Sequence, residues 1–341
     1  MNHKKITSIF ITSLLFLCLF TQAQKTAIVG FYNVENLYDT EKDPIANDSE
    51  FLPDGAYQWT LERYNKKLKD LSFVIAEMGK EYGGAVVLGV CEVENEGVLN
   101  DLVAQELLKP FKYKVAHHDS PDYRGVDVAF IYQSERFEFI SLEDFELRIP
   151  DNPRFRTRDQ LLLVGVLDNI DTLYLIANHW PSKRGGEARS NPLRMAAAKL
   201  TRSIVDSLLN INPHAKIIIM GDFNDNPNAK SITVGLRTKG KINDVTKFDI
   251  FNPMWKMYRD GIGSYVYQGN REMIDQIMVS YELLHPRPNS FKYIAAHVFS
   301  PNFLITKTGS YQGYPFRTYG GGNYLGGYSD HFPVYIILQK K

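Results

Sequence analysis

The runs Ala85–Val90 and Lys216–Met220 constrain this chain most, because each is aliphatic at nearly every position and a strand built from either has no face fit for water. A strand buried on both faces must lie inside a layered structure, with more protein above and below it. Similar runs recur at Thr26–Tyr32, Val126–Tyr132, Gln160–Leu167, Thr172–Ala177, Ile274–Val279 and Pro333–Leu338. Helical periodicity falls between them. Leu61, Tyr64, Leu68, Leu71, Ile75 and Met78 alternate steps of three and four, and Leu193, Ala197, Leu200, Ile204 and Leu208 keep the same face behind an Asn191-Pro192 start signal. No linker separates these segments, so one α/β domain over residues 24–341 is expected. With 341 residues, 44% of them hydrophobic, the chain can bury a large core.

Residues 1–23 read as an export signal: Lys4 and Lys5 at the start, an apolar middle from Ile6 to Phe20, and Thr21-Gln22-Ala23 as a small-residue cleavage site. No later stretch is apolar enough to anchor the chain, and a secreted or periplasmic location is expected. Cleavage takes Lys4 and Lys5 from the 39 basic residues, leaving 37 against 39 acidic ones and a net charge of −2. Such a chain has no global field that attracts polyanions, and any charge that binds phosphate must be local. Only Cys91 remains after cleavage, which excludes an internal disulfide.

The apolar runs end in polar groups. Ile217-Ile218-Ile219-Met220-Gly221 presents Asp222 and Asn224, whose strand-like spacing puts both on one face. A carboxylate that aims a nucleophile beside an amide that holds an anionic oxygen suits phosphoryl chemistry. Ile28 to Tyr32 leads to Asn33 and Glu35, again on one face, where either offers oxygen to a hard cation. Ala85 to Cys91 delivers Glu92, a carboxylate too costly at that place unless it meets a cation or donors. Leu173 to Asn178 leads to His179 and the loop Pro181-Ser182-Lys183-Arg184-Gly185-Gly186, which suits an anion. Asp275 opens another strand, and Ser329-Asp330-His331 precedes the last one. Any one of these is ordinary turn chemistry. Their recurrence at five or six strand ends is not.

In their order along the chain these motifs resemble the endonuclease/exonuclease/phosphatase superfamily, which includes deoxyribonuclease I. Phe31-Tyr32-Asn33-Val34-Glu35-Asn36-Leu37-Tyr38-Asp39 and His179-Trp180-Pro181-Ser182 look most like its secreted bacterial nuclease-like branch. The resemblance implies a four-layer α-β-β-α sandwich of two mixed sheets, with the site at the strand ends. It implies Mg2+ or Mn2+ bound through Glu92, Asn33 and Asp330, Asp222 aiming the attacking water, Asn224 holding a phosphoryl oxygen, and Asp275 orienting His331. His179 is the second histidine. Asp119 aligns loosely as the carboxylate that orients His179, Glu35 is a further orienting candidate, and Arg124 and Arg184 are candidates for binding phosphate.

The same catalytic set serves DNA, RNA, phospholipid headgroups and inositol phosphates, so the motifs do not select a substrate. Export favours an extracellular polymer, and a nuclease acting on DNA or RNA is the leading expectation. A phosphatase or phosphodiesterase of phospholipid or small phosphate esters is the alternative, and a non-catalytic binder on the same scaffold a further one. Arg148, Arg154, Arg156 and Arg158 read as a solvated hairpin or as a basic loop tracking a phosphate backbone. His117 and His118 match no motif, the acidic loop Asp39 to Glu50 admits calcium, the tail Tyr311 to Tyr328 caps the sheet or shapes the groove, and a monomer is expected.

Overall fold

The structure, a computed structural model, describes residues 25–340. The expected export signal at residues 1–23 lies outside them. Two mixed sheets form the body of the molecule. The first has six strands in the spatial order β14 (Lys292–Val298), β17 (Val334–Lys340), β1 (Lys25–Leu37), β2 (Ala85–Val93), β4 (Asp127–Gln133) and β3 (Tyr113–His117). The second has seven: β5 (Phe137–Phe145), β6 (Gln160–Leu167), β7 (Asp171–His179), β8 (Lys216–Asp222), β13 (Asp275–Ser280), β10 (Ile250–Phe251) and β9 (Thr238–Lys239). Two short ribbons, β11 (Tyr265–Tyr267) with β12 (Asn270–Glu272) and β15 (Tyr319–Gly320) with β16 (Asn323–Tyr324), lie outside the sheets.

The alternation of side chains along each strand builds the layers. Ala27, Val29 and Phe31 of β1 meet Leu173 and Leu175 of β7, Ile218 and Met220 of β8 and Ile277 of β13 in a core between the sheets. The opposite face of the first sheet, with Ile28, Tyr32, Leu88 and Val90, packs on α1 (Leu61–Glu77) and α2 (Glu96–Val103). Ile217 and Ile219 pack on α3 (Glu187–Ile211) behind the second. The result is the four-layer sandwich implied by the resemblance. The sheets approach closely at Gly89, where a Cβ would stand 2.6 Å from Met220 Sδ. Among the described residues no helix is long and apolar enough to cross a membrane.

The α3 register differs from the expected one. The helix starts at Glu187, so Pro192 lies inside it, and the fully buried stripe runs through Ser190, Arg194, Ala197, Thr201 and Val205. Leu193, Leu200 and Leu208 are only half-buried. Polar side chains occupy this core stripe because the second sheet supplies partners: Thr201 Oγ1 reaches Gln160 and Asn178 of β6 and β7.

Candidate functional site at the strand ends

In the second sheet, strand register places three site residues in one row. His179 pairs with Asp222 across β7 and β8, and Asp222 pairs with Asp275 across β8 and β13. All three continue the inner face carried by Ala177, Met220 and Ile277, so they open into the cleft where the two sheets end. Gly221 permits this row, because a Cβ there would stand 2.3 Å from the Asn178 carbonyl of β7.

The first sheet supplies the facing wall by breaking its alternation. Glu35, Asn36 and Glu92 take left-handed backbone conformations (φ 53°, 53° and 63°), as does Asn224 (φ 51°) beyond β8. Such residues cost about 1–3 kcal/mol each and gather where geometry serves a site. Alternation would leave Glu92 on the outer face with Val90, yet it lines the cleft. The Asn36 amide holds its Oε2 at 3.1 Å. Glu35 turns the other way. The expected shared face with Asn33 is lost, and its carboxylate instead accepts from the Thr318 and Tyr319 amides at 2.6 and 3.3 Å. This contact ties the glycine-rich tail to β1, and Lys67 of α1 completes it by donating to Thr318 Oγ1 and the Tyr328 carbonyl, both at 2.6 Å.

Asp222 stands at the centre. Its Oδ2 accepts from Asn33 Nδ2 at 3.1 Å and its Oδ1 from the Asn224 amide at 2.9 Å. His179 Nε2 lies 3.6 Å and His331 Nε2 3.9 Å from Oδ2. The Asn224 side chain donates to the Trp180 carbonyl at 3.0 Å, which fixes the amide at the cleft wall. Asp275 Oδ2 receives both His331 Nδ1 and Ser264 Oγ at 2.7 Å. Ser329 Oγ donates to the Asn33 carbonyl at 2.7 Å and accepts the His331 amide at 3.1 Å, binding the last motif to the first.

Burial and neighbouring charge push the two histidines apart. Burial, with Arg158 and Arg124 close by, holds His179 well below the ordinary histidine range, so it is neutral at pH 7. Burial opposes charge on His331 as well, but Asp275 and Asp330 outweigh it and raise its pKa well above the ordinary value. Asp222 is pushed up to about 7 by burial and by Asp275. Glu35 rises to about 7, through burial and Asp330, with Lys67 opposing. Two histidines with opposite shifts around one carboxylate can divide proton donation from neutral hydrogen bonding.

The cleft encloses about 640 Å³ and is lined by Glu92, Asp222, Asn224, Asp330 and both histidines. Arg124, Arg158, Lys183 and Arg184 form its basic side, and Tyr265, Tyr267 and Ile274 an apolar one. Tyr265 packs on the His331 ring at a centroid distance of 4.7 Å. Among the described residues Glu92 Oε1 and the Asp330 carboxylate accept no hydrogen bond, and Asn33 Oδ1 accepts only the Glu35 amide. These hard oxygens fit a small divalent cation.

Asp119 is elsewhere. It is 87% exposed and faces His117 Nδ1 at 3.8 Å, because Asp127 ties down Ser120 and fixes the loop away from His179. Among the described residues His179 Nδ1 has no hydrogen-bond partner. In the acidic loop, Asp43 accepts the Ile45 and Ala46 amides and Asp48 the Asp43 amide, which is turn chemistry, and among the described residues no three of its carboxylates converge on a cation. Of the four loop arginines only Arg158 reaches the cleft, where it holds Asp122 Oδ2 at 3.0 Å and the Trp180 carbonyl at 2.9 Å. Its place beside an apolar strand was the available signal. Tyr265 and Lys67 carried none, since their partners are remote in sequence.

Residues 28–340 match the sequence model described as the Endonuclease/Exonuclease/phosphatase family. No curated protein matches the chain by sequence. Several solved structures share the fold. TDP2 from D. rerio, humanized by 14 mutations, aligns with TM-score 0.56 at 13% identity over 92% of this chain and 99% of its own. ANGEL2, a 2',3'-cyclic phosphatase, gives 0.57 at 14% identity over 93% and 95%. A mannosyl-6-phosphatase from Bacteroides thetaiotaomicron gives 0.53 at 17% identity over 92% and 99%.

Proposed function

Because the chain belongs to the endonuclease/exonuclease/phosphatase family, we propose that it is a divalent-metal-dependent phosphoester hydrolase whose principal substrate is a nucleic-acid phosphodiester. The observation that carries this reading is the placement of Asp222 between a neutral His179 and a charged His331, inside a cleft with one basic and one aromatic side. Attack on an anionic phosphorus needs an aimed water, neutralised oxygens and a donor for the leaving oxygen. Asp222 aims the water and takes its proton. His331, held by Asp275, gives its Nε2 proton to the leaving oxygen as the P–O bond breaks, while His179 and the second amide hydrogen of Asn224 bind the oxygens that do not leave. Arg124 and Arg184 receive flanking phosphate charge, and Tyr265 and Tyr267 offer a surface for a sugar or base. Mg2+ or Mn2+, when held by Glu92, Asp330 and Asn33, supplies charge neutralisation at the phosphate.

The fold neighbours are consistent with phosphoester chemistry and leave the substrate open, since one structure of TDP2 holds a single-stranded DNA product and another neighbour is a sugar phosphatase. One observation favours a second reading. A cleft of about 640 Å³ is the size of a small-molecule site, and Arg184 at its rim, beside Lys183 paired to Glu272 at 3.2 Å, suits a terminal phosphate. The test is a panel of plasmid, RNA, sphingomyelin, inositol phosphates and a sugar 6-phosphate, each with Mg2+, Mn2+ or chelator. We expect cleavage of DNA or RNA that stops on chelation. Absence of nucleic-acid cleavage with every metal overturns the nuclease reading, and turnover that survives chelation overturns the metal.

A further inference from the structure

Away from the cleft, the edges of the two sheets meet at another group of side chains able to bind metal. His118 follows β3, the edge strand of the first sheet, while Asp144 lies on β5, the edge strand of the second, and Asp159 stands just before β6. One ligand atom from each lies within 4.8 Å of the other two, and His118 Nε2 is 3.6 Å from Asp144 Oδ2. Tetrahedral ligands about 2.0–2.2 Å from an ion are themselves roughly 3.3–3.6 Å apart, so this trio needs only a small adjustment to share one.

Asp159 supplies the independent observation. It is 4% exposed, yet among the described residues its Oδ1 has no hydrogen-bond partner. A buried carboxylate oxygen with neither donor nor cation is costly. The adjacent Arg158 forms no hydrogen bond to it: its Nη1 and Nη2 go to Asp122 and the Trp180 carbonyl, and among the described residues its buried Nε has no partner. His117, Asp119 and Asp127 also gather nearby, but Asp127 differs: it is satisfied by His117 Nε2 at 2.9 Å and by the Ser120 amide at 2.9 Å, and leaves no oxygen in want of a cation.

We propose that His118, Asp144 and Asp159 form a second metal site, suited to Zn2+, which clips the two sheets together where their edge strands meet. One imidazole with two carboxylates favours a borderline ion, whereas calcium prefers six to eight oxygens and magnesium keeps most of its waters. His118 and Asp144 are about half exposed, which gives the ion an entry path and leaves room for water as further ligand.

The test uses ZnCl2 as probe, with equilibrium dialysis for stoichiometry and thermal unfolding for stability, on the wild-type chain, His118→Ala, Asp159→Asn and Glu92→Gln. Both His118→Ala and Asp159→Asn are expected to lose one zinc equivalent, to weaken that binding by about 100-fold or more, and to lose the zinc-dependent rise in Tm. Glu92→Gln, in the catalytic cleft, is expected to keep them. His118 is half exposed, so its replacement leaves the core intact and the result does not depend on Asp159→Asn folding well. Wild-type stoichiometry and Tm rise in His118→Ala would overturn the proposal, as would a wild-type chain whose only bound zinc disappears with Glu92→Gln.

Discussion

Asp275 and His331 share one short hydrogen bond, 2.7 Å from Oδ2 to Nδ1, at a place where Asp275 is fully buried and Ser264 holds the same oxygen. The bond fixes which histidine nitrogen faces Asp222, and the carboxylate stabilises the charged ring. Asp275→Asn keeps the shape but not the charge. Loss of an orienting carboxylate behind a catalytic histidine is expected to lower kcat by about 10²–10⁴-fold, with KM changed far less. Steady-state kinetics on a cleaved substrate measures the split, and a kcat within twofold of wild type removes the orienting role.

Asp222 must be ionised to accept a proton from water, and burial with Asp275 beside it raises its pKa to about 7. Activity is therefore expected to climb between about pH 6 and 8 and to fall on the acid side as Asp222 protonates. Metal bound nearby shifts this limb to lower pH, so it should move with the metal used. A profile flat from pH 5 to 8 with both Mg2+ and Mn2+ contradicts the assignment.

The same shifts set the pH dependence of stability. Asp222 and Glu35 both titrate near 7 when folded and near 4 when unfolded. Between those values the folded state binds more protons, so these groups make stability decline as pH rises from about 4 to 7, with no further loss above. A cation beside them competes with those protons. Mg2+ or Mn2+ is thus expected to raise Tm more at pH 8 than at pH 5, and the double variant Glu92→Gln/Asp330→Asn to lose that gain. Equal metal-dependent shifts at both pH values would show that the ion binds elsewhere.

Arg184 lines the cleft from an exposed loop, and its amide reaches only Ser182 Oγ at 3.4 Å. Its guanidinium can move to a substrate phosphate without abandoning a buried partner. Arg184→Ala is expected to raise KM by about 5–30-fold while kcat holds within twofold, since an exposed charge contact is worth about 1–2 kcal/mol. Arg158→Ala differs because it strips partners from Asp122 and Trp180, and it should reduce Tm as well. Kinetics and thermal unfolding on both variants separate the roles. A kcat collapse in Arg184→Ala would place that residue at the reacting phosphate.

Eight strands were legible in the sequence because a strand buried on both faces writes an unbroken apolar run. The sheet strands β3, β5, β9, β10 and β14 were not. β10 has only two residues; the others are edge strands, and the longer ones mix exposed and buried positions, as Phe137–Phe145 does. The α3 stripe was misplaced because Arg194 and Thr201 occupy core positions that periodicity assigns to leucines. At the site, Glu92, Asp222, Asp275 and His331 were visible as polar groups that end apolar runs. Glu35 stands off the face that alternation assigns it, because its left-handed backbone breaks the two-residue period of the strand. Lys67 was invisible for another reason: its partners Thr318 and Tyr328 are more than 250 residues away, and only the folded tail brings them together.

Gly89 joins packing to catalysis. It lies three residues before Glu92 on β2, at the point where a Cβ would meet Met220 Sδ at 2.6 Å and Phe31 Cδ2 at 3.1 Å. Both neighbours are fully buried between the sheets, so neither can swing into solvent. Met220 is also two residues from Asp222. Gly89→Ala therefore requires Met220 to repack inside the core, or else the sheets to separate or the strand that ends in Asp222 to shift. Overpacking of this kind costs about 1–3 kcal/mol, and the facing walls of the cleft, Glu92 on one sheet and Asp222 on the other, are expected to separate with it. A 1 Å misplacement far from the chemistry can cost about 100-fold in rate, so Gly89→Ala should lose activity beyond what its unfolded fraction explains. Denaturant unfolding and kcat at a temperature where the variant is fully folded test the two parts independently. Wild-type kcat in a folded but destabilised variant would show that β2 absorbs the strain before it reaches Glu92.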